Sequence, residues 1–364
     1  MTIDPEELRA RLDQVWAALA RDAVADGHEV MRACGRTLLS VVDQSRESDD
    51  VLEMLAELLH ANPSRSIVVL LAAGDTEQLA ADVDARCWMP SGSRQICSEQ
   101  IVIRCSERTL AEVPGVVTPL VAADLPVVLW CASERARRSP AFPSLAAPAR
   151  RIILDTFSAE LPLEALETLI EQQRRSPALI ADLSWTRLTR WRALLAQVFE
   201  NRLYRAHIPD FNRITIQYQD QSGRIPPTVL LFAGWVTSRL RWQPQKTQPA
   251  AESRKILSFQ RPNGPALVTL EHQDSLDSPE SLLSFGLGGE AAAAPRISIG
   301  RVSEACGEVR IEAAGLDPVM NRVSLPAPTD LMLLGEELAI SQRDPAFEES
   351  LERAVQIARN LQAG

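Results

Sequence analysis

Apolar residues in the first half of the chain alternate between two kinds of pattern. Leu8, Leu12, Val15 and Leu19 recur at three- and four-residue steps, which predicts a helix with one apolar stripe. Residues 51–60 repeat the pattern and stop just before Asn62-Pro63, a helix-ending signal. Between such stretches lie short runs that are apolar nearly throughout. They predict strands over 37–42, 66–72, 95–104, 126–131 and 151–155, of the kind found in sheets covered on both faces. Helices are predicted near 77–83, 107–112 and 162–174, where they would serve as crossover connections.

After the polar, proline-containing QRRSPA at 173–178, a linker signal, the rhythm changes. Ile214, Ile216 and Tyr218 alternate with polar partners, Pro226-Pro227 precedes an apolar helix over 228–242, and strands then follow at short intervals: 256–260, 266–271, 281–285, 296–302, 309–313 and 321–325. Residues 286–295, GLGGEAAAAP, read as a loop. Two helices close the chain, the last carrying Phe347, Leu351, Val355, Ala358 and Leu361 on one face. The expectation is a Rossmann-like α/β domain over 1–176 with a mostly parallel sheet, followed over 177–364 by an α+β domain with a largely antiparallel sheet and flanking helices.

One segment stands apart. Residues 182–200, DLSWTRLTRWRALLAQVFE, place Trp185, Leu188, Trp191, Leu195 and Val198 at helical spacing, with Thr186, Arg187, Arg190 and Gln197 opposite and Asp182 or Ser184 available as a cap. A single helix with a basic rim is expected. Tryptophan and arginine are the residue types that most often anchor protein interfaces, so Arg187, Arg190, Trp191 and Arg192 are the candidate partner-binding residues, with Trp185 assigned to the core.

Composition narrows the function classes. The 364 residues are 46% hydrophobic and 24% charged, the balance of a folded globular protein, and their length suits two domains. A net charge of −10 argues against a nucleic-acid binder. The longest apolar run, 228–238, is about half of the ~20 residues that span a bilayer, so no membrane partner is expected. An acidic, amphipathic start lacks the features of a signal peptide, which points to the cytoplasm. All but Lys246 and Lys255 of the 38 basic residues are arginine, so each arginine needs positional support before it is assigned a role. The six cysteines form no CxxC. Reduced thiols are expected in that compartment, although Cys87 and Cys97 flank the turn-like MPSGS and could face one another across a hairpin.

The α/β half invites a nucleotide, yet neither GxGxxG nor GxxxxGK[ST] occurs. Four histidines show no metal-ligand spacing, and there is no GxSxG elbow. No catalytic residue, metal or cofactor is expected. The remaining chemical candidate is an anion site made by Arg65, Ser91, Ser93 and Arg94, turn residues whose amides, hydroxyls and guanidinium groups suit a phosphate.

DLSWTRLTRWR, together with NPSRSIVVL near 62, CSEQIVI near 97, PLVAADLPVVLWC near 119, RRIILDTF near 150 and LLFAGWVTSRLRW near 230, resembles the glucose-6-phosphate dehydrogenase assembly protein family, OpcA. The matches run in order from about residue 37 to 242. Arg190 stands where the family usually has proline, and Val128 and Cys131 where aromatics are common. Photosynthetic members are credited with redox control through C-terminal cysteines, but here only Cys306 lies beyond residue 131. The resemblance implies a non-catalytic cytoplasmic partner that binds glucose-6-phosphate dehydrogenase, promotes its active oligomer and so supports NADPH production. The competing expectation is an enzyme or sensor that binds sugar phosphates through the anion site.

Overall fold

The computed structural model describes residues 3–45, 48–89, 94–122, 124–245, 254–273, 281–291 and 294–363. Its residues gather into two compact units. One comprises Met1–Asp155, Ser176–Ala181 and Asp330–Ser341; the other comprises Thr156–Arg175, Asp182–Thr329 and Gln342–Gly364. The boundary expected at 176/177 therefore falls inside a short segment of the first unit.

The first unit is built on strands β1 (Glu29–Arg32), β2 (Thr37–Asp43), β3 (Arg65–Ala72), β4 (Leu79–Trp88), β5 (Arg94–Ser106), β6 (Val127–Cys131), β7 (Arg151–Leu154) and β8 (Leu179–Asp182). Their main order is β5-β3-β2-β6-β7-β8, with the pairs from β5 to β7 parallel. That is the order of a doubly wound dinucleotide-binding sheet, which reverses direction between β2 and β6. The long β5 also takes β1 in parallel at one end and β4 antiparallel along its other side. Helices α1 (Pro5–Asp26), α2 (Ser48–Ala61), α3 (Val113–Leu120), α4 (Glu134–Arg138) and α5 (Phe142–Ala146) belong to this unit. Asp4 caps α1 by accepting from the Glu6 amide at 2.9 Å, and Gly27 ends it at φ 73°, a left-handed turn that suits glycine. Six consecutive residues of β2 and six of β3 are buried, as their largely apolar runs lead one to expect.

The second unit carries helices α6 (Pro162–Arg175), α7 (Leu183–Thr186), α8 (Thr189–Val198), α9 (Arg202–Arg205) and α10 (Pro227–Arg239). Its sheet runs β9 (Arg213–Tyr218), β10 (Gln243–Pro244), β11 (Arg254–Arg261), β12 (Gly264–His272), β13 (Leu282–Gly288), β14 (Arg296–Arg301), β15 (Cys306–Glu312) and β16 (Val319–Ser324). The order is β10-β11-β12-β9-β13-β14-β15-β16, and every neighbouring pair is antiparallel except β12 with β9. Helix α11 (Asp330–Ala339) returns to the first unit, where buried Glu337 accepts an ion pair from Arg151 of β7. Helix α12 (Pro345–Ala363) packs along α10 in the second. Gly234 makes their close approach possible, because a Cβ there would run into the Ser350 carbonyl and come within 2.9 Å of the Ala354 nitrogen. The expected fold class, a parallel α/β unit and a largely antiparallel α+β unit, is the one found.

Three local readings need correction. The helix expected over 77–83 is the strand β4, whose side chains alternate in burial along β5 in the two-residue period of a pleated edge. Residues 107–112 form only a short 3-10 turn leading into α3. The helix expected over 182–200 breaks at Arg187 and Leu188 into α7 and α8. Cys87 and Cys97, directly opposed across β4 and β5, are joined as a disulfide.

Candidate partner-docking surface

Asp182 sets the start of the basic segment. Its carboxylate caps α7 by accepting from the Ser184 amide at 3.2 Å, and also takes the Thr156 amide at 3.0 Å and the Thr156 hydroxyl at 2.6 Å. All three residues are fully buried, so this carboxylate satisfies polar groups that would otherwise be stranded. Trp185 follows at 3% exposure. Its Nε1 donates to Asp344 at 2.8 Å, and its ring lies 5.8 Å from Phe347.

Trp191 is not an exposed anchor. At 1% exposure it packs edge-on against Phe232 of α10, at 6.4 Å between ring centres, and belongs to the core of the second unit. Arg192 lies flat against the face of Trp185, 3.6 Å from the ring centre, and donates to the Trp185 carbonyl and the Thr189 hydroxyl. Arg187 stacks over Phe157 at 4.5 Å. Both guanidinium groups are half-buried and cover aromatic surface, a use that arginine serves better than lysine.

Arg190 is the member of the expected set that faces outward. On α8, Thr189, Arg190, Ala193, Ala196 and Gln197 line an exposed face. Asn201 then caps the one-turn α9, accepting from the Leu203 amide at 2.9 Å, and Arg202, Leu203 and Arg205 of that turn are exposed. Leu203 is 62% exposed, and none of Arg190, Arg202 and Arg205 has a carboxylate partner among the described residues. Exposed arginines on α8 and α9 with an exposed leucine between Arg202 and Arg205 in sequence are suited to an acidic, partly apolar patch on another protein. Leu203 and Arg205 escaped sequence reading because α9 is too short to show a period; the Asn201 cap was the one local signal.

The two arginines of the expected anion site have other partners. Arg65 donates from Nε to Glu99 at 2.6 Å and from Nη1 to the Leu120 carbonyl at 2.6 Å. Glu99, 2% exposed, is further held by Arg32 and by the Trp16 indole at 2.8 Å, so Arg65 serves a buried structural network. Arg94 pairs with Glu29 at 3.4 Å on the surface. Ser91 and Ser93 lie outside the described residues. Among the described residues no cluster of histidine, cysteine, aspartate and glutamate suits a metal, and no helix is long and apolar enough to cross a membrane.

Comparison with known proteins gives this surface its context. Residues 55–171 match the glucose-6-phosphate dehydrogenase subunit N-terminal domain, and residues 178–351 match the corresponding C-terminal domain, both domains of OpcA. The chain belongs to the OpcA family. It is 30% identical over 314 residues to the OxPP cycle protein OpcA of Nostoc punctiforme and 29% identical over 315 residues to that of Synechocystis. These alignments cover 81% and 84% of this chain but 65% of each relative, just under two thirds. Among solved structures, an oxidoreductase from Sinorhizobium meliloti superposes with a TM-score of 0.50 at 10% identity, over 89% of this chain and 96% of that one. At that identity the likeness concerns the fold alone. In this OpcA chain the α8–α9 face lies within the region matched by the C-terminal domain.

Proposed function

We propose that this protein is a non-catalytic assembly factor that binds glucose-6-phosphate dehydrogenase in the cytoplasm, favours its active oligomer and thereby supports NADPH production by the oxidative pentose phosphate route. Membership of the OpcA family, whose two matched domains are both described by that enzyme, carries the reading. The α8–α9 segment supplies chemically suitable contacts: Arg190, Arg202, Leu203 and Arg205 are all exposed.

Activation needs no catalytic group from the activator. A partner that binds the active state of the dehydrogenase better than the inactive one shifts the population by its differential affinity, and a tenfold shift requires only ~1.4 kcal/mol. The arginines act first as a steering field and then as charged contacts at the rim, with Leu203 buried between them. Arg187 and Arg192 contribute by fixing the aromatic surface beneath.

The test mixes the chain with the dehydrogenase of the same organism and measures co-elution and substrate saturation together. Co-elution with a raised kcat or lowered KM is expected. Absence of a complex, or a complex without any kinetic change, would overturn the proposal; the latter outcome describes a passive scaffold.

A further inference from the structure

A sheet ordered like that of the first unit usually binds a dinucleotide at the carboxyl ends of its strands, where the order reverses, here between β2 and β6. That binding needs glycines after the first strand, so that the backbone can approach the pyrophosphate, and a helix N-terminus open to negative charge. Neither requirement is met. No glycine occurs between Gly35 and Gly74, and α2 begins Ser48-Asp49-Asp50, which places two carboxylates in its first turn.

The strand ends are instead tied together by the chain itself. Arg135, just after β6, reaches across the sheet. Its Nη2 lies 2.9 Å and its Nε 3.2 Å from Asp43 Oδ1 at the end of β2. Nη2 also donates to the Leu71 carbonyl at the end of β3 at 3.4 Å, and Nη1 to Glu107 just beyond β5 at 3.1 Å. The buried Ser133 hydroxyl donates to the same Asp43 oxygen at 2.6 Å and accepts the Ala136 amide at 3.0 Å. One guanidinium thus spans the ends of four strands, with more carboxylate than cation around it.

We infer that the Arg135–Asp43–Glu107 cluster occupies the crevice where a sheet of this order binds a dinucleotide and closes it to pyrophosphate-bearing ligands, so that this doubly wound unit serves as a scaffold. The residues do not fit the group that the strand order implies. A bound pyrophosphate would add negative charge beside Asp43, Glu107, Asp49 and Asp50 and would compete with Asp43 and Glu107 for the only guanidinium among these residues.

The test titrates NADPH and NADP+ into the full chain, to about 1 mM, following nicotinamide and tryptophan fluorescence. In parallel, urea midpoints and arginine Nε resonances are recorded for Arg135→Ala and Glu107→Gln. The native chain is expected to show no saturable binding, and both variants to lower the midpoint and alter the Arg135 resonance. Saturable binding that persists in the Arg190→Glu/Arg202→Glu/Arg205→Glu variant would overturn the inference, whereas binding lost in that variant belongs to the α8–α9 arginines and upholds it. Unchanged midpoints and resonances in Arg135→Ala and Glu107→Gln would show that the cluster does not form, and would equally overturn it.

Discussion

Trp185 and Asp344, 159 positions apart, share a 2.8 Å hydrogen bond in which the indole Nε1 donates to Asp344 Oδ2. The other oxygen of the same carboxylate accepts the Ala346 and Phe347 amides at 3.0 and 3.1 Å, so one aspartate both starts α12 and holds the tryptophan on which Arg192 stacks. Losing the cap costs about 1 kcal/mol, and stranding a buried indole N–H about 1–3 kcal/mol. Asp344→Ala is therefore expected to lower stability by roughly 2–4 kcal/mol in urea unfolding, and Asp344→Asn, whose single amide oxygen can keep the helix cap while its NH2 group leaves the indole without an acceptor, by less.

Charge reversal on the exposed face should separate binding from folding. Arg190→Glu, Arg202→Glu and Arg205→Glu together leave the core untouched and are expected to change stability by less than about 1 kcal/mol. They should nevertheless abolish co-elution with glucose-6-phosphate dehydrogenase. Association of the native pair should weaken as ionic strength rises, chiefly through a slower on-rate. Trp191→Ala is a poor probe of the interface, since removing a buried tryptophan costs about 3–5 kcal/mol and calorimetry will show the fold itself giving way.

Arg151 and Glu337 form a buried ion pair, with side chains 9% and 4% exposed, which fastens α11 to β7. Deleting one partner strands the other charge, at a cost of about 3–5 kcal/mol. Glu337→Ala is expected to show that loss in urea unfolding, and the double change Arg151→Met/Glu337→Leu to recover much of it. Additive losses in this cycle would refute the pairing.

At Gly234 the constraint is one of space. Gly234→Ala places a methyl group against backbone atoms of α12, which cannot swing away as a flexible side chain would. Separation of α10 and α12 is expected to cost about 1–3 kcal/mol and to appear as a lowered Tm. This sign is opposite to that at an open helix site, where alanine replaces glycine with a gain.

Thiol chemistry provides a pH test. Burial pushes Cys105 and Cys131 up from 9.0 to about 12, and burial with help from Asp220 pushes Tyr218 up from 10.0 to about 12. The unfolded chain surrenders these protons first, so their contribution is whole below pH 9 and is lost as pH climbs from there toward 12. Each buried thiol should cost roughly 2 kcal/mol by about pH 10.5. The urea midpoint is expected to fall over that window. At pH 8 a thiol reagent should reach Cys34 and Cys306 in the folded protein, Cys87 only after reduction, Cys105 and Cys131 only after unfolding, and the fully buried Cys97 only after both.

The sequence by itself determined the elements whose signal is local. Largely apolar runs marked β2, β3 and β6 because strands covered on both faces have no exposed polar side, and the stripe from Phe347 to Leu361 marked α12 because one helical face is buried. The ordered motifs from residue 37 to 242 also led to the OpcA family. What the tertiary structure decided was the fate of individual side chains. Spacing could place Trp191 on a face but could not show that Phe232 of α10 covers it, nor that Glu99 claims Arg65, because those partners come from distant segments. β4 was misread because its alternating apolar positions acquire meaning only against β5. Exposure is a property of what packs nearby, so only the fold separated Arg190, Arg202 and Arg205, which face solvent, from Arg135, drawn across four strand ends by Asp43 and Glu107.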